Sequence, residues 1–245
     1  MKQYQAVILA LEQLGGIATL GQLYQVAPKV PGSKWATKTP FASIRRIVQL
    51  RKEIYKIKPG LYGLAAKKAA NEAQGVIAET EKNKDSKEVT QFNHTYYQGV
   101  LLQVGCLRAH GSWCPNQDKN RLFLGKPLGT VRTLQELPAF SYPRFVQRSA
   151  SIDVIWFNKR AMPHTFFEVE HSTDIQNSLL KFNDLQDFHA RMLIVSDANR
   201  QKEYEQKIKY SSFSDIAGRV QFLAYDSLVK QYEHEVEVSQ APVTL

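Results

Sequence analysis

The 245-residue sequence is poor in cysteine, with Cys106 and Cys114 alone. They form no CxxC pair and have no histidine at zinc spacing, which argues against a zinc site and against a disulfide framework. Both read as small, half-buried thiols of a reducing compartment. No apolar run approaches the roughly 18 residues that span a bilayer. The N-terminal MKQYQAVILALEQLGG is too polar for a signal peptide. A cytoplasmic protein with no membrane partner is therefore expected. There is no GxSxG elbow and no Cys–His nucleophile pair, so serine and cysteine hydrolases drop out. The string GKPLG lacks the GK[ST] ending of a phosphate-cradling loop.

Acidic residues are scarce in one region only. Met1 to Leu64 holds ten Lys or Arg against two acidic residues, net +8. Val89 to Leu245 holds seventeen against sixteen, net +1, while the whole chain carries +9. Nearly all the excess charge sits in the first quarter, which reads as a nucleic-acid footprint on one module. A merely solvated basic N-terminus is the bland alternative. The 43% hydrophobic content supports a buried core.

The basic module has a rhythm of three helices and a hairpin. Tyr4, Ile8, Leu11 and Leu14 recur at helical spacing, and Gly15-Gly16 ends that helix. Ile17-Ala18 suits a short strand, and Thr19 can cap a second helix. Thr39 and Pro40 open a third, whose inner face is Ile44, Ile47 and Val48. IYKIK and LYGL then flank Pro59-Gly60, a hairpin signal. This order resembles a winged helix over residues 1–66. The resemblance implies a third helix in the major groove and a wing against the backbone. Candidate contacts to DNA are Lys34, Trp35, Lys38, Ser43, Arg45, Arg46, Gln49, Lys56 and Lys58, with Arg and Gln able to read base edges.

Residues 67–90, rich in Ala, Lys and Glu, read as a partly helical linker. Residues 91–245 read as a mixed α/β domain. The first helix is expected at about Asn93–Arg108. Strands follow at Ser151–Phe157, Thr165–Ser172, RMLIVS and VQFLAY. Helices are expected after a capping box at Thr173–Gln176, at Lys202–Lys209 and at Ser227–Tyr232.

Three carboxylates lie on two adjacent strands. Glu168 and Glu170 are two apart and share a face. The short NKRAMPHT turn pairs the strands and brings Asp153 close. Such a cluster raises its own pKa values or requires a cation. All-oxygen ligation suits Mg²⁺ or Mn²⁺, and these are the features phosphodiester hydrolysis needs.

IDV, a spacer and FEVEHS ending a strand before a helix resemble the PD-(D/E)xK restriction-endonuclease-like superfamily over about Phe92 to Tyr232. The resemblance implies Asp153 and Glu168 as metal ligands. The family's lysine falls at position 170, where this chain has Glu170, able to ligate metal or accept a proton. Glu-x-Glu variants occur among type II restriction enzymes, and other members supply the basic residue from the following helix, here Lys181. SWCPNQDKNR resembles restriction-like bacterial proteins and places Asn116 and Asp118, with Gln98, at the mouth of the site. A polar turn explains Asn116 and Asp118 equally well. His171 is a candidate for phosphate contact or a satisfied structural histidine.

The expected function is a divalent-metal-dependent endonuclease acting on double-stranded DNA. Two-strand cutting is easiest for a homodimer. The alternatives are a DNA-binding regulator with a silent nuclease-like domain, and a subunit that docks partner proteins of a restriction or defence system.

Overall fold

The computed structural model describes every residue except Asp85, Thr173 and 241–245. The chain divides into two compact units, Met1–Phe92 with the chain from Val229 onward, and Asn93–Leu228. Residues 229–240 group with the first unit.

In the first unit, α1 (Gln3–Gln13) buries Ala6, Val7, Ala10 and Leu11 on one face. It stops where Gly15 and Gly16 take φ of 89° and 100°, and the Gly16 amide donates to the Leu11 carbonyl. A side chain at these angles would be strained. Strand β1 (Ile17–Thr19) leads into α2 (Leu20–Val26), where Thr19 and Gln22 cap one another reciprocally. Helix α3 (Pro40–Leu50) starts on Pro40, as expected, but Thr39 makes no side-chain cap. Ile44 and Val48 are its buried residues. Strands β2 (Ile54–Lys58) and β3 (Leu61–Leu64) form the hairpin, and with β1 an antiparallel sheet of order β1-β3-β2. A short helix, α4 (Lys68–Ala73), follows the hairpin within the first unit.

The second unit is built on one mixed sheet. Helix α5 (Lys87–Leu107) starts earlier than expected. Strand β4 (Gly111–Trp113) follows, then the hairpin β5 (Leu122–Phe123) and β6 (Lys126–Pro127), and short helices α6 (Leu128–Val131) and α7 (Pro143–Ser149). The central elements are β7 (Val154–Phe157), β8 (Pro163–Glu170), α8 (Ile175–Asn183), β9 (Arg191–Ser196), α9 (Gln201–Lys207) and β10 (Val220–Ala224). Helix α10 (Tyr225–Gln240) is longer than the sequence suggested.

The sheet order is β10-β9-β8-β7-β4. Strands β8, β9 and β10 are parallel, whereas β7 runs antiparallel to both β8 and β4. One face packs Phe166, Met192 and Ile194 against Ile175, Leu179, Phe182 and Leu185. Burying each such side chain contributes roughly 1.5–3 kcal/mol. Thr173 of the expected capping box lies outside the described residues; the α8 N-cap is Asp174, which accepts from the Gln176 amide. Of the cysteines, Cys114 is buried but Cys106 is exposed, and both are free.

Helix α5 is fixed to β7 by a close approach. The Trp156 indole donates to the Leu101 carbonyl at 3.0 Å. A Cβ on Gly105 would lie 2.7 Å from that indole nitrogen, so the contact needs a glycine.

Candidate active site

Antiparallel pairing sets Val154 opposite Phe167, so the start of β7 meets the end of β8. There the Asp153 carboxylate accepts from the Val169 amide at 2.7 Å. Glu168 and Glu170, two residues apart, are both buried. Parallel strand pairs accept ligands beyond their carboxyl ends, and Glu170 stands at that end opposite Ser196.

Helix α8 follows β8 and brings two residues back over the acids. Ser178 donates to Glu168 at 3.0 Å and also bonds Glu170. Lys181 donates to Glu168 at 2.7 Å and to the Ser151 carbonyl at 3.0 Å. The structure thus brings Asp153, Glu168, Glu170 and Lys181 into one cluster.

The acids are unequal. Burial works to raise Asp153, but the charge and hydrogen bond of His94, Lys181 and the Val169 amide outweigh it and hold it below the usual carboxylate range. Burial pushes Glu168 well above that range, helped by Asp153 and opposed by Lys181. Burial pushes Glu170 up to about 7, against the Ser178 hydrogen bond. Burial disfavours charge on Lys181, yet Glu168 and Asp153 raise its pKa and keep it an ammonium. One side of the cluster is therefore a fixed charge, and the other is poised to exchange a proton near neutrality.

His94, on α5, was not singled out in the sequence. Its Nε2 lies 3.2 Å from Asp153 Oδ2. One turn on, Gln98 donates to the Asp153 carbonyl at 3.2 Å and to Asp118 at 3.0 Å. Gln98 and Asp118 are thus buried supports and do not form the mouth of the site. Arg121 holds the other Asp118 oxygen at 3.1 Å. Asn116 alone of that set is exposed. His171 sits beside Asn93 at 3.3 Å, with its ring parallel to Tyr225.

Among the described residues, no three His, Cys, Asp or Glu side chains converge on a common cation position. The three-carboxylate metal set therefore does not stand preformed, because Lys181, Ser178, His94 and the Val169 amide already engage these acids. Glu168 Oε1 is buried with no hydrogen-bond partner. Such an orphaned oxygen beside ionised Asp153 fits a hard divalent cation or its bound water.

The candidate DNA contacts of the first unit differ in exposure. Lys34, Lys38, Arg46, Gln49 and Lys56 are exposed, and Ser43 is half-buried. The Trp35 indole nitrogen is buried, not presented outward. Arg45 pairs with Glu237 at 2.7 Å and lies over the Tyr24 ring. Lys58, expected as a DNA contact, is buried. It is 6% exposed, with its ammonium over Phe92. A β-bulge between Lys56 and Lys58 turns it inward.

The chain is a mixed α/β protein whose mixed sheet, with a buried acidic cluster at its strand ends, is compatible with an endonuclease-like core. The family described as "Type II restriction enzyme NmeDI C-terminal domain" matches residues 75–240, and the chain belongs to that family. Type II restriction enzyme NmeDI of Neisseria meningitidis serogroup C is 27% identical over 124 residues, covering 46% of this chain. The match spans about a third of that relative, 35% of its length. No solved structure matches the chain. No helix among the described residues is long and apolar enough to cross a membrane.

Proposed function

We propose that the protein is a restriction-type DNA endonuclease of the PD-(D/E)xK kind. In this reading the second unit cleaves phosphodiester bonds, and the first is a winged helix that holds double-stranded DNA. The observation that carries the reading is Lys181 at 2.7 Å from Glu168, beside Asp153. It supplies from α8 the cation that position 170 lacks. A cytoplasmic restriction system, acting as a homodimer or with partner proteins, is the setting this function fits.

Mg²⁺ or Mn²⁺ held by Asp153 and Glu168, with Glu170 in reach, would supply the Lewis acidity that activates water and neutralises phosphate charge. Asp153 serves as the permanent anion, kept ionised by His94 and Lys181. Glu170, with its pKa near 7, is suited to take the proton of the attacking water. The Lys181 ammonium faces charge developing on the phosphate oxygens. The exposed cations Lys34, Lys38, Arg46 and Lys56 neutralise the DNA backbone.

The test is incubation with DNA of varied sequence and methylation, with Mg²⁺ or Mn²⁺, beside Asp153→Ala. Cleavage should fall by roughly 10³-fold or more in the variant, about 4 kcal/mol of transition-state stabilisation. Equal cutting by Asp153→Ala would move the chemistry elsewhere. The engagement of these acids by Lys181, Ser178, His94 and the Val169 amide favours a second reading, a DNA-binding regulator with a silent site. DNA binding without cutting of any substrate would establish it.

A further inference from the structure

We infer that His94 and Gln98 form a positioning pair that fixes Asp153 in its cation-binding orientation. The inference rests on the endonuclease reading and adds two residues of α5 to it. His94 and Gln98 are one helical turn apart and therefore share a face of α5. That face grips Asp153 at both ends. His94 Nε2 meets the carboxylate at 3.2 Å, and Gln98 donates to the main-chain carbonyl at 3.2 Å.

The grip is directional. Asp153 Oδ2 receives the Val169 amide at 2.7 Å and faces His94, so two groups converge on one oxygen. Oδ1 is left as the oxygen to offer a cation. A carboxylate with one oxygen fixed cannot rotate away from its ligand position, and such partners typically change metal affinity or activity 10–100-fold.

The His94 Nδ1 is buried without a hydrogen-bond partner among the described residues, so the ring's polar contact is made through Nε2 to Asp153. A purely structural histidine would satisfy both ring nitrogens or expose one. Gln98 is supported from behind, since its amide also donates to Asp118, which Arg121 holds. The chain Arg121–Asp118–Gln98 thus ends on the Asp153 backbone. Helix α5 itself is immobilised by the Trp156 bond to Leu101.

The experiment compares full-length wild type, His94→Leu and His94→Gln. The readouts are Mn²⁺ binding by electron paramagnetic resonance, DNA cleavage kinetics and melting temperature. Glutamine keeps a donor near Nε2; leucine keeps bulk only. Leucine should weaken Mn²⁺ binding and lower kcat, each by roughly 10–100-fold, with KM for DNA within about twofold. Glutamine should restore most of both. If leucine and glutamine variants lose cation binding equally, or if only the melting temperature moves, the inference is wrong. If leucine does not fold, His94→Ala takes its place, with a loss of Mn²⁺ binding that glutamine restores in support and unchanged binding against. A wild type that neither binds Mn²⁺ nor cuts would remove the endonuclease reading and the inference with it. An active wild type with unaffected His94 variants would remove the inference alone.

Discussion

The two units use charge in opposite ways. The first holds its excess positive charge in residues 1–64, net +8, and exposes most of it, with Lys58 buried. The second carries a smaller excess, net +3, and buries Glu168, Glu170 and Asp118 and half-buries Lys181. Exposed charge costs little and acts at long range on a polyanion. Buried charge is costly and persists only where partners or a ligand offset it. The first pattern suits attraction, and the second suits chemistry.

The sharpest way to break this comparison is Lys181→Met. If the buried charges exist for catalysis, cleavage falls by roughly 10²–10³-fold, the cost of removing one preorganised donor. DNA affinity should stay within about twofold, because Lys181 belongs to the site and not to the exposed set. Gel-shift titration beside cleavage kinetics separates the two. A proportionate loss of binding would mean that the second unit also attracts DNA.

Next in size is an opposed pair of pH effects on stability. Glu170 ordinarily titrates at 4.5 and is pushed up to about 7 in the fold. Its proton is held more tightly in the folded state, so stability falls as pH rises from about 4.5 to 7. Glu170→Gln removes that slope. It should match wild type below pH 4.5 and exceed it by about 3 kcal/mol above pH 7. Lys58 shifts the other way, from 10.5 to about 7, because burial disfavours its charge. Stability then rises with pH between about 7 and 10.5. Lys58→Met should be more stable than wild type by on the order of 4 kcal/mol at pH 7, with the gain gone above pH 10.5. Melting curves across pH check both. A gain that does not vary with pH would point to packing instead.

How much of this was legible follows from what sets each feature. Alternation along FEVEH and a short turn place Asp153 near Glu168 and Glu170, because strand period and hairpin register are local rules. Lys181 lies eleven residues beyond Glu170, on a helix whose apolar face Ile175, Leu179 and Phe182 fixes its rotation. His94 was not legible. Its contact with Asp153 depends on how α5 lies on the sheet, and the Gly105 approach that sets this has no local signature. Gln98, expected at the mouth of the site, is buried for the same reason. Lys58 misled because strand alternation puts it on the face of Lys56; one inserted residue reverses it.

The smallest expected effects lie within the exposed set and refine what exposure means. Lys38→Ala and Lys56→Ala should each lower the slope of log affinity against log salt by about 0.9, the value for one phosphate contact. Lys58→Met should leave the slope unchanged, since a buried ammonium releases no counterion. Arg45 and Arg46 are neighbours on α3 that differ in engagement. Arg46 is exposed, whereas Arg45 is paired with Glu237 at 2.7 Å. Such a pair, partly open to solvent, stabilises by roughly 0.2–1 kcal/mol. On the proposed function its consequence for binding is larger than for folding, because DNA would compete with Glu237 for the guanidinium. Arg46→Ala should therefore cost a full phosphate or base contact, and Arg45→Ala much less. Glu237→Gln should release Arg45, steepen the salt slope by up to about one contact and tighten DNA binding. Salt titrations of the three variants decide between these outcomes. If Glu237→Gln leaves the slope alone, Arg45 is a packing residue of the first unit, and α3 meets DNA through Arg46 and Gln49.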